Sequence, residues 1–295
     1  MGTSNAYGGP GGGTPLVPTW LGSDGPAPAP PVPPPPANAP APDGAPAPVP
    51  TPPALPPIPA AADADRFTMA RNNLSRFATS GGTDRASLGR AVSQYVSTAA
   101  GGSRTAAQRM GASRAAGANL LNFLSNATVS GPREALRALN LQSLAGRPIE
   151  EVFLGLMDYV CQGQDGGTVD EGIAREAFIE TITDLAENGI TDIDALTADQ
   201  MQTIFELYAA HAIEARLCND IGTKAIILPS DPAEAATVQA QLLDFVRGSV
   251  ADALARAQIN MQALTPATVL RIVTNVYEQA FSILQTMGEV EAESS

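Results

Sequence analysis

TDRASLGRAVSQYVSTAAGG, residues 83–102, decides the fold. Thr83-Asp84 offers side-chain oxygens to the backbone N–H groups that the first turn of a helix leaves without partners. Behind it Leu88, Val92, Tyr95, Val96 and Ala99 recur at spacings of three and four, which places them on one helical face, and Gly101-Gly102 stops the run. The same signals repeat along the chain. Ser103 starts RTAAQRMGASRAAGANLLNFLSNA, read as one helix, whose Gly111, Ala112, Ala115, Ala116, Gly117 and Ala118 permit close approach of another backbone. Pro132 suits the first helical position of PREALRALN, and Pro148 opens a helix carrying Ile149, Val152, Phe153, Leu156, Met157 and Val160 that the loop QGQDGGTV ends.

Further on, residues 170–188 carry Ile173, Phe178, Ile179, Ile182 and Leu185, with Gly189 as the stop. Thr197 and Gln200 form a capping box before MQTIFELYAAHAIEARL. KAIILP at 224–229 is the one plausible strand, and a buried extended linker serves as well. Ser230 and Pro232 begin a long helix to about Gln258; Thr265-Pro266 begins the last, expected to end near Met287-Gly288. With no βαβ alternation the fold class is all-α, a bundle-like domain in which the acidic C-terminal helices form most of the core. A helical solenoid is the runner-up, but no repeat period supports it.

Ahead of this body lies a different kind of sequence. Residues 1–59 hold 21 of the 26 prolines. Proline fixes φ and removes a backbone donor, so residues 26–59 are expected to be disordered and to sample polyproline II rather than helix or central strand. Roughly 40 such residues at about 3.1 Å each reach on the order of 100 Å. At the far end, MGTSNAYGGPGGGTPLVPTW carries Tyr7, Leu16, Val17 and Trp20, which a spacer does not need. The organisation expected is a recognition peptide (1–21), a disordered Pro/Ala-rich tether (22–62), an Arg-rich helical segment (63–147) and an acidic helical segment packed with it (148–290).

Charge divides along the same boundary. Residues 63–147 have eleven Arg against four acids, a net +7, while residues 148–295 have six bases against 24 acids, a net −18. Arg85, Arg90, Arg104, Arg109 and Arg114 are the candidates for contact with an anionic partner, a phosphate backbone included. No aromatic platform or nucleic-acid motif accompanies them, so they are better explained by packing on acidic helices or an acidic partner, and nucleic-acid binding by the isolated protein is not expected.

Catalytic chemistry is hard to build from this chain. His211 is the one histidine and falls within a helical run, where a packed or surface role is commoner than ligation, and no second histidine completes a zinc site. Cys161 and Cys218 stand outside any CxxC and are read as buried small apolar residues. GPGGG at 9–13 lacks the Gly-Lys-Ser/Thr of a phosphate loop. Asp165, Asp170, Glu171, Asp184 and Glu187 lack calcium-loop spacing and read as a solvated acidic face. No metal, cofactor or catalytic residue is expected. A membrane span is absent from the apolar pattern and a leader from the start, so a cytoplasmic non-enzyme is the expectation.

Gly2 supplies chemistry of another kind. Removal of Met1 exposes an α-amine with a pKa near 8 and no side chain to obstruct it, so a partner enzyme can use it as a nucleophile. The myristoylation pattern wants Ser or Thr at position 6, and Ala6 stands there.

MGTSNAYGGPGGGTPLVPTW, RFTMARNNLSRFATSGGTDRASLGRAVSQYV, GGSRTAAQRMGASRAAGANLLNFL and GPREALRALNLQSLAGRPIEEVF together resemble the QatB family of the bacterial Qat anti-phage systems. The resemblance covers the first 20 residues and most of 66–190; beyond that it is one of composition. It implies partners: an ATPase, a QueC-like enzyme (QatC) and a TatD-like nuclease. QueC chemistry converts a 7-deazaguanine carboxylate to a nitrile through an activated intermediate and ammonia, and related defence enzymes attach the deazaguanine to a protein N-terminus instead. Gly2 then becomes the modified amine, with Gly2, Thr3, Ser4, Tyr7, Gly8 and Gly9 as the recognition peptide. The resemblance carries no catalytic residue over to this chain. The alternatives are an Arg-mediated adaptor that presents DNA to the nuclease and a purely structural scaffold.

Overall fold

Asp84 accepts hydrogen bonds from the Ser87 backbone N–H at 3.0 Å and the Ser87 hydroxyl at 2.6 Å, which cap the helix Arg85–Gln94 (α2). These bonds, the side-chain one foremost, hold the Asp84 carboxyl below its ordinary pKa. The helix then widens into a π turn, Tyr95–Ala99, before Gly102, at φ 93, lets the chain reverse. The structure, a computed structural model, describes residues 65–161, 167–187, 189–222, 226–258 and 264–294. The chain divides into two units, Met1–Ile58 and Pro59–Ser295, and every described residue belongs to the second. The expected peptide (1–21) and tether (22–62) lie outside the described residues.

The described residues contain no strand and are all-α. Around α2 lie α1 (Thr68–Thr79), α3 (Ser103–Arg109), α4 (Gly111–Ser130), α5 (Pro132–Ala138), α6 (Ile149–Val160) and α7 (Val169–Glu187). They are followed by α8 (Ala198–Ile221), α9 (Pro232–Ala257) and α10 (Pro266–Glu293). The capping box forms as spaced: Gln200 N–H donates to Thr197 Oγ1 at 3.2 Å, and Thr197 N–H donates to Gln200 Oε1 at 2.9 Å. Pro132 and Pro232 each stand in the first turn of their helices.

Packing is organised around α10, which lies along α2 and α9 and also meets α3 and α4. A second group joins α7, α8, α4 and α6, and α8 on α9 connects the two. In the second group Phe153 stacks on Phe178 at 5.8 Å, and Phe178 meets Tyr208 edge-on at 6.3 Å. Helices from both sides of the charge boundary share one core, running from Phe67 to Leu284.

Six local expectations are corrected. The single helix from Ser103 breaks at Met110, whose ψ of 37 leaves the helical region. The fully buried Met110 side chain and the Asp170 carboxylate, which accepts from the Ala112 N–H, hold that break in place. KAIILP forms no strand in its described residues 226–229, and it is no buried linker either, since Ile227 and Leu228 are 65% and 54% exposed. Asp231, not Ser230, caps α9, accepting from Ala233 N–H at 2.9 Å. Ile179 is exposed; α7 buries Ala174, Ala177 and Thr181 beside Ile173, Phe178, Ile182 and Leu185.

The fifth correction is Gly288, which stops nothing. It sits inside α10, facing Gly89 of α2. A Cβ on Gly89 would lie 2.5 Å from the Gly288 carbonyl oxygen, and one on Gly288 would lie 2.6 Å from that of Gly89. Here two backbones touch. By contrast, the space beside Gly117, which was expected to admit a backbone, holds side chains of Tyr208, Phe205 and Val273.

Candidate functional site

The recognition residues Gly2, Thr3, Ser4, Tyr7, Gly8 and Gly9 lie outside the described residues. The five arginines lie inside them and are not brought together. Arg85 Nε pairs with Glu291 at 3.3 Å and Arg104 Nε with Glu278 at 3.2 Å, both on α10. Arg114 donates to Thr274 Oγ1, also on α10, and to the Gln108 carbonyl, each at 3.3 Å. Arg90 donates to Ser87 Oγ at 3.1 Å within its own helix. Arg109 is the least satisfied, because its Nη1 is buried without a hydrogen-bond partner. Burial, then the neighbouring Arg66 charge, pulls its pKa down.

Arg109 borders a polar junction that sequence reading did not find. Arg216 of α8 donates through Nη1 to the Arg109 carbonyl at 2.9 Å and to Asp170 Oδ1 at 3.2 Å. Its Nε lies 3.1 Å from Asp220 Oδ1, an ion pair too poorly aligned for a hydrogen bond. Asp220 in turn accepts from the Tyr95 hydroxyl at 3.0 Å. Burial alone lowers the Arg216 pKa, but Asp220 more than offsets it and the net shift is upward. One guanidinium thus ties the α3–α4 break, the start of α7 and the end of α8. The acids expected on a solvated face are divided: Asp170 belongs to this junction, and Asp184 lies 2.9 Å from Nε2 of the buried His211. Asp165 lies outside the described residues.

On the other side of α8 is an open cavity of ≈ 870 Å³ between α1, α7, α8 and α9, with Gly222, Ile226 and Leu228 also in its lining. Leu74 and Ala78 of α1 face Val238 and Leu242 of α9 across it. Glu214 of α8 lines it and is only 9% exposed. Its Oε1 lies 3.7 Å from the Cys218 sulfur. Burial foremost, with the charges of Glu176 and Glu180 adding, pushes its pKa up to about 7. The same burial, with Glu214, drives the Cys218 thiol well above its ordinary range, and burial pushes Cys161 up to about 11. Neither is a thiolate near neutral pH, so neither is a ready nucleophile.

A signal for Glu214 does exist in the sequence. In FELYAAHAIEARL the apolar residues surround the helix rather than marking one face, and a helix apolar all round is buried. Of the polar residues within it, His211 and Glu214 are buried. Among the described residues no group of histidine, cysteine and acidic side chains is arranged to hold a metal ion, and no helix is long and apolar enough to cross a membrane.

No curated protein and no solved structure matches this chain. A family model described as Qat anti-phage system associated protein QatB matches residues 101–284. That match runs from the glycines before α3 into α10, takes in Arg109, Asp170, Arg216 and Asp220 of the polar junction together with Glu214, and continues well past Ile190. The terminal peptide lies outside it. Spanning more than half of the chain, it shows that this protein belongs to the QatB family of Qat anti-phage system associated proteins.

Proposed function

We propose that this chain is a non-enzymatic, cytoplasmic subunit of its defence system, whose N-terminal peptide is recognised and modified or processed by the QueC-like partner while the helical body docks partners. Family membership over residues 101–284 carries the defence assignment. The finer reading is supported by the peptide itself, where an unobstructed Gly2 amine and the side chains of Tyr7, Leu16, Val17 and Trp20 precede a proline-rich tract. In the reaction envisaged the Gly2 nitrogen attacks the activated carboxyl carbon of the deazaguanine. A C–N amide bond forms, the activating group leaves, and the amine gives its extra proton to solvent. The ATPase and TatD-like nuclease complete the partner set.

Intact mass spectrometry of the chain coexpressed with and without the QueC-like enzyme tests this reading. A mass increase or loss confined to the peptide ending at Trp20, and absent from a Gly2→Leu variant that keeps Met1, is the expected result. An unchanged mass with the active enzyme present would overturn modification and processing together. The DNA-adaptor alternative is less well supported, because Arg85, Arg104 and Arg114 are already engaged with α10.

A further inference from the structure

α3 is a short rod between two irregular joints, and both joints are secured at one place. On its N-terminal side α2 widens into the π turn Tyr95–Ala99, and Gly101 and Gly102, at φ 85 and 93, carry the chain into α3. On its C-terminal side the helix breaks at Met110. Nothing local requires that break. Residues 103–127 contain no proline, and Met110 offers no side-chain acceptor to start a helix, so α4 has no cap of its own. The cap comes from α7 instead, where Asp170 Oδ2 accepts from the Ala112 N–H at 2.5 Å. The carbonyl freed at Arg109 accepts from Arg216 Nη1 at 2.9 Å, and the same nitrogen donates to Asp170 Oδ1 at 3.2 Å. Asp220, paired with Arg216 Nε at 3.1 Å, accepts from the hydroxyl of Tyr95, the first residue of the π turn. One ion cluster therefore fastens both ends of a helix of seven residues.

We propose that Asp170 and Arg216 form a latch, and that its release lets residues 103–130 run as one straight helix. The gain on release lies in the backbone, because the Ala112 N–H and the Arg109 carbonyl return from α7 and α8 to bonds within the helix. The cost lies in Met110, fully buried at the bend, and in the packing of α3 on α10, where Arg104 reaches Glu278. Slack for the movement is present at the other joint. A π turn holds one residue more than an α turn, and Gly101 and Gly102 accept changes of φ that other residues resist. Straightening carries α3 away from α10 and uncovers the surface of α10 around Glu278. The latch thus couples a mostly buried ion cluster to a surface that a partner can read.

The full chain labelled with ¹³C-methionine tests this, because backbone carbon shifts follow ψ and the ψ of 37 at Met110 lies outside the helical region. Asp170→Ala removes cap and ion pair together, and its Met110 should move to helical shifts. Asp170→Asn, which keeps an acceptor and loses the charge, should fall between that variant and the parent. Gly111→Ala leaves both latch residues in place, raises helix propensity and puts a Cβ 3.2 Å from Asp170 Oδ2, so it should move Met110 in the same direction. Spin labels carried on p-acetylphenylalanine at the exposed positions of Arg104 and Asn126 add a distance. On release it should lengthen to roughly 33 Å, at about 1.5 Å for each of the roughly 22 residues between them. A folded Asp170→Ala that keeps the parent's Met110 shifts and distance would overturn the latch, since burial of Met110 alone would then set the bend. Should Asp170→Ala fail to fold, Gly111→Ala decides, and an unchanged Met110 there overturns the proposal. Loss of helical shifts across residues 103–109 in either variant would overturn it as well, because release would then melt α3 rather than straighten it. None of these outcomes depends on the fate of Gly2.

Discussion

Glu214 is held in a place where ionisation is disfavoured, and that makes it a term in the pH dependence of stability. Its pKa rises from 4.5 to about 7 on folding, chiefly through burial. Between those values the native state keeps a proton that the unfolded chain releases, so stability from this group is full below about pH 4.5 and is lost as pH rises through about 7. The loss is on the order of 3 kcal/mol, from about 1.4 kcal/mol per unit. Glu214→Gln should flatten that decline. Urea unfolding at about pH 5 and about pH 8 checks this, and parallel curves for the two proteins would refute it. Arg216 is a stabilising group, because its removal leaves Asp170 and Asp220 without their shared cation. Arg216→Met is expected to destabilise by roughly 1–3 kcal/mol, less than the cost of breaking a fully buried pair because these side chains are partly exposed. Arg216→Lys should recover only part of it, since a single ammonium cannot reach Asp170, Asp220 and the Arg109 carbonyl at once.

At the scale of elements, glycine carries two meanings that local sequence does not separate. Gly189 and Gly222, at φ 66 and 88, end helices as glycine after a periodic run implies. Gly288 follows an equally regular run yet lies within α10, because its missing side chain is used sideways, against Gly89. Only the tertiary crossing distinguishes them. Gly89→Ala and Gly288→Ala should each destabilise by about 1–3 kcal/mol, since a methyl there forces two backbones apart. Gly172→Ala on α7 is the control: nothing lies within 4 Å of its added Cβ and its φ is not positive, so helix propensity should stabilise it by up to about 1 kcal/mol. Thermal unfolding of the three variants checks the contrast, and equal effects would remove the case for a close crossing. Most of the element order was legible because caps, prolines and three-four spacing are local signals, as Asp84, Pro132 and Thr197 illustrate. The break at Met110 was not, since its stabilising Asp170 lies in another helix. The Glu214 cavity was hidden for the same reason: its walls come from α1, α7, α8 and α9, and only topology brings Leu74 beside Leu242.

Across the whole molecule the opposed net charges meet through arginine, but through contacts of unequal weight. Arg216 is mostly buried; Arg104, whose side chain is 77% exposed, and Arg85 hold their α10 partners in contact with solvent. Exposed pairs of that kind contribute about 0–1 kcal/mol each, so Arg85→Glu with Arg104→Glu should lower stability modestly without unfolding the chain. That leaves a clean test of nucleic-acid binding. If these arginines, with Arg90, Arg109 and Arg114, followed a phosphate backbone, affinity would fall steeply with salt, by a log-log slope of about 0.9 for each phosphate neutralised. The opposite result is expected. The partners of Arg85, Arg90, Arg104 and Arg114 are internal, and the −18 carried by residues 148–295 repels a duplex over distances of about a Debye length. Fluorescence anisotropy with duplex DNA should show no submicromolar binding at physiological salt, with the double reversal indistinguishable from the parent. Tight, salt-sensitive binding that the reversal removes, with circular dichroism unchanged, would establish the adaptor role instead.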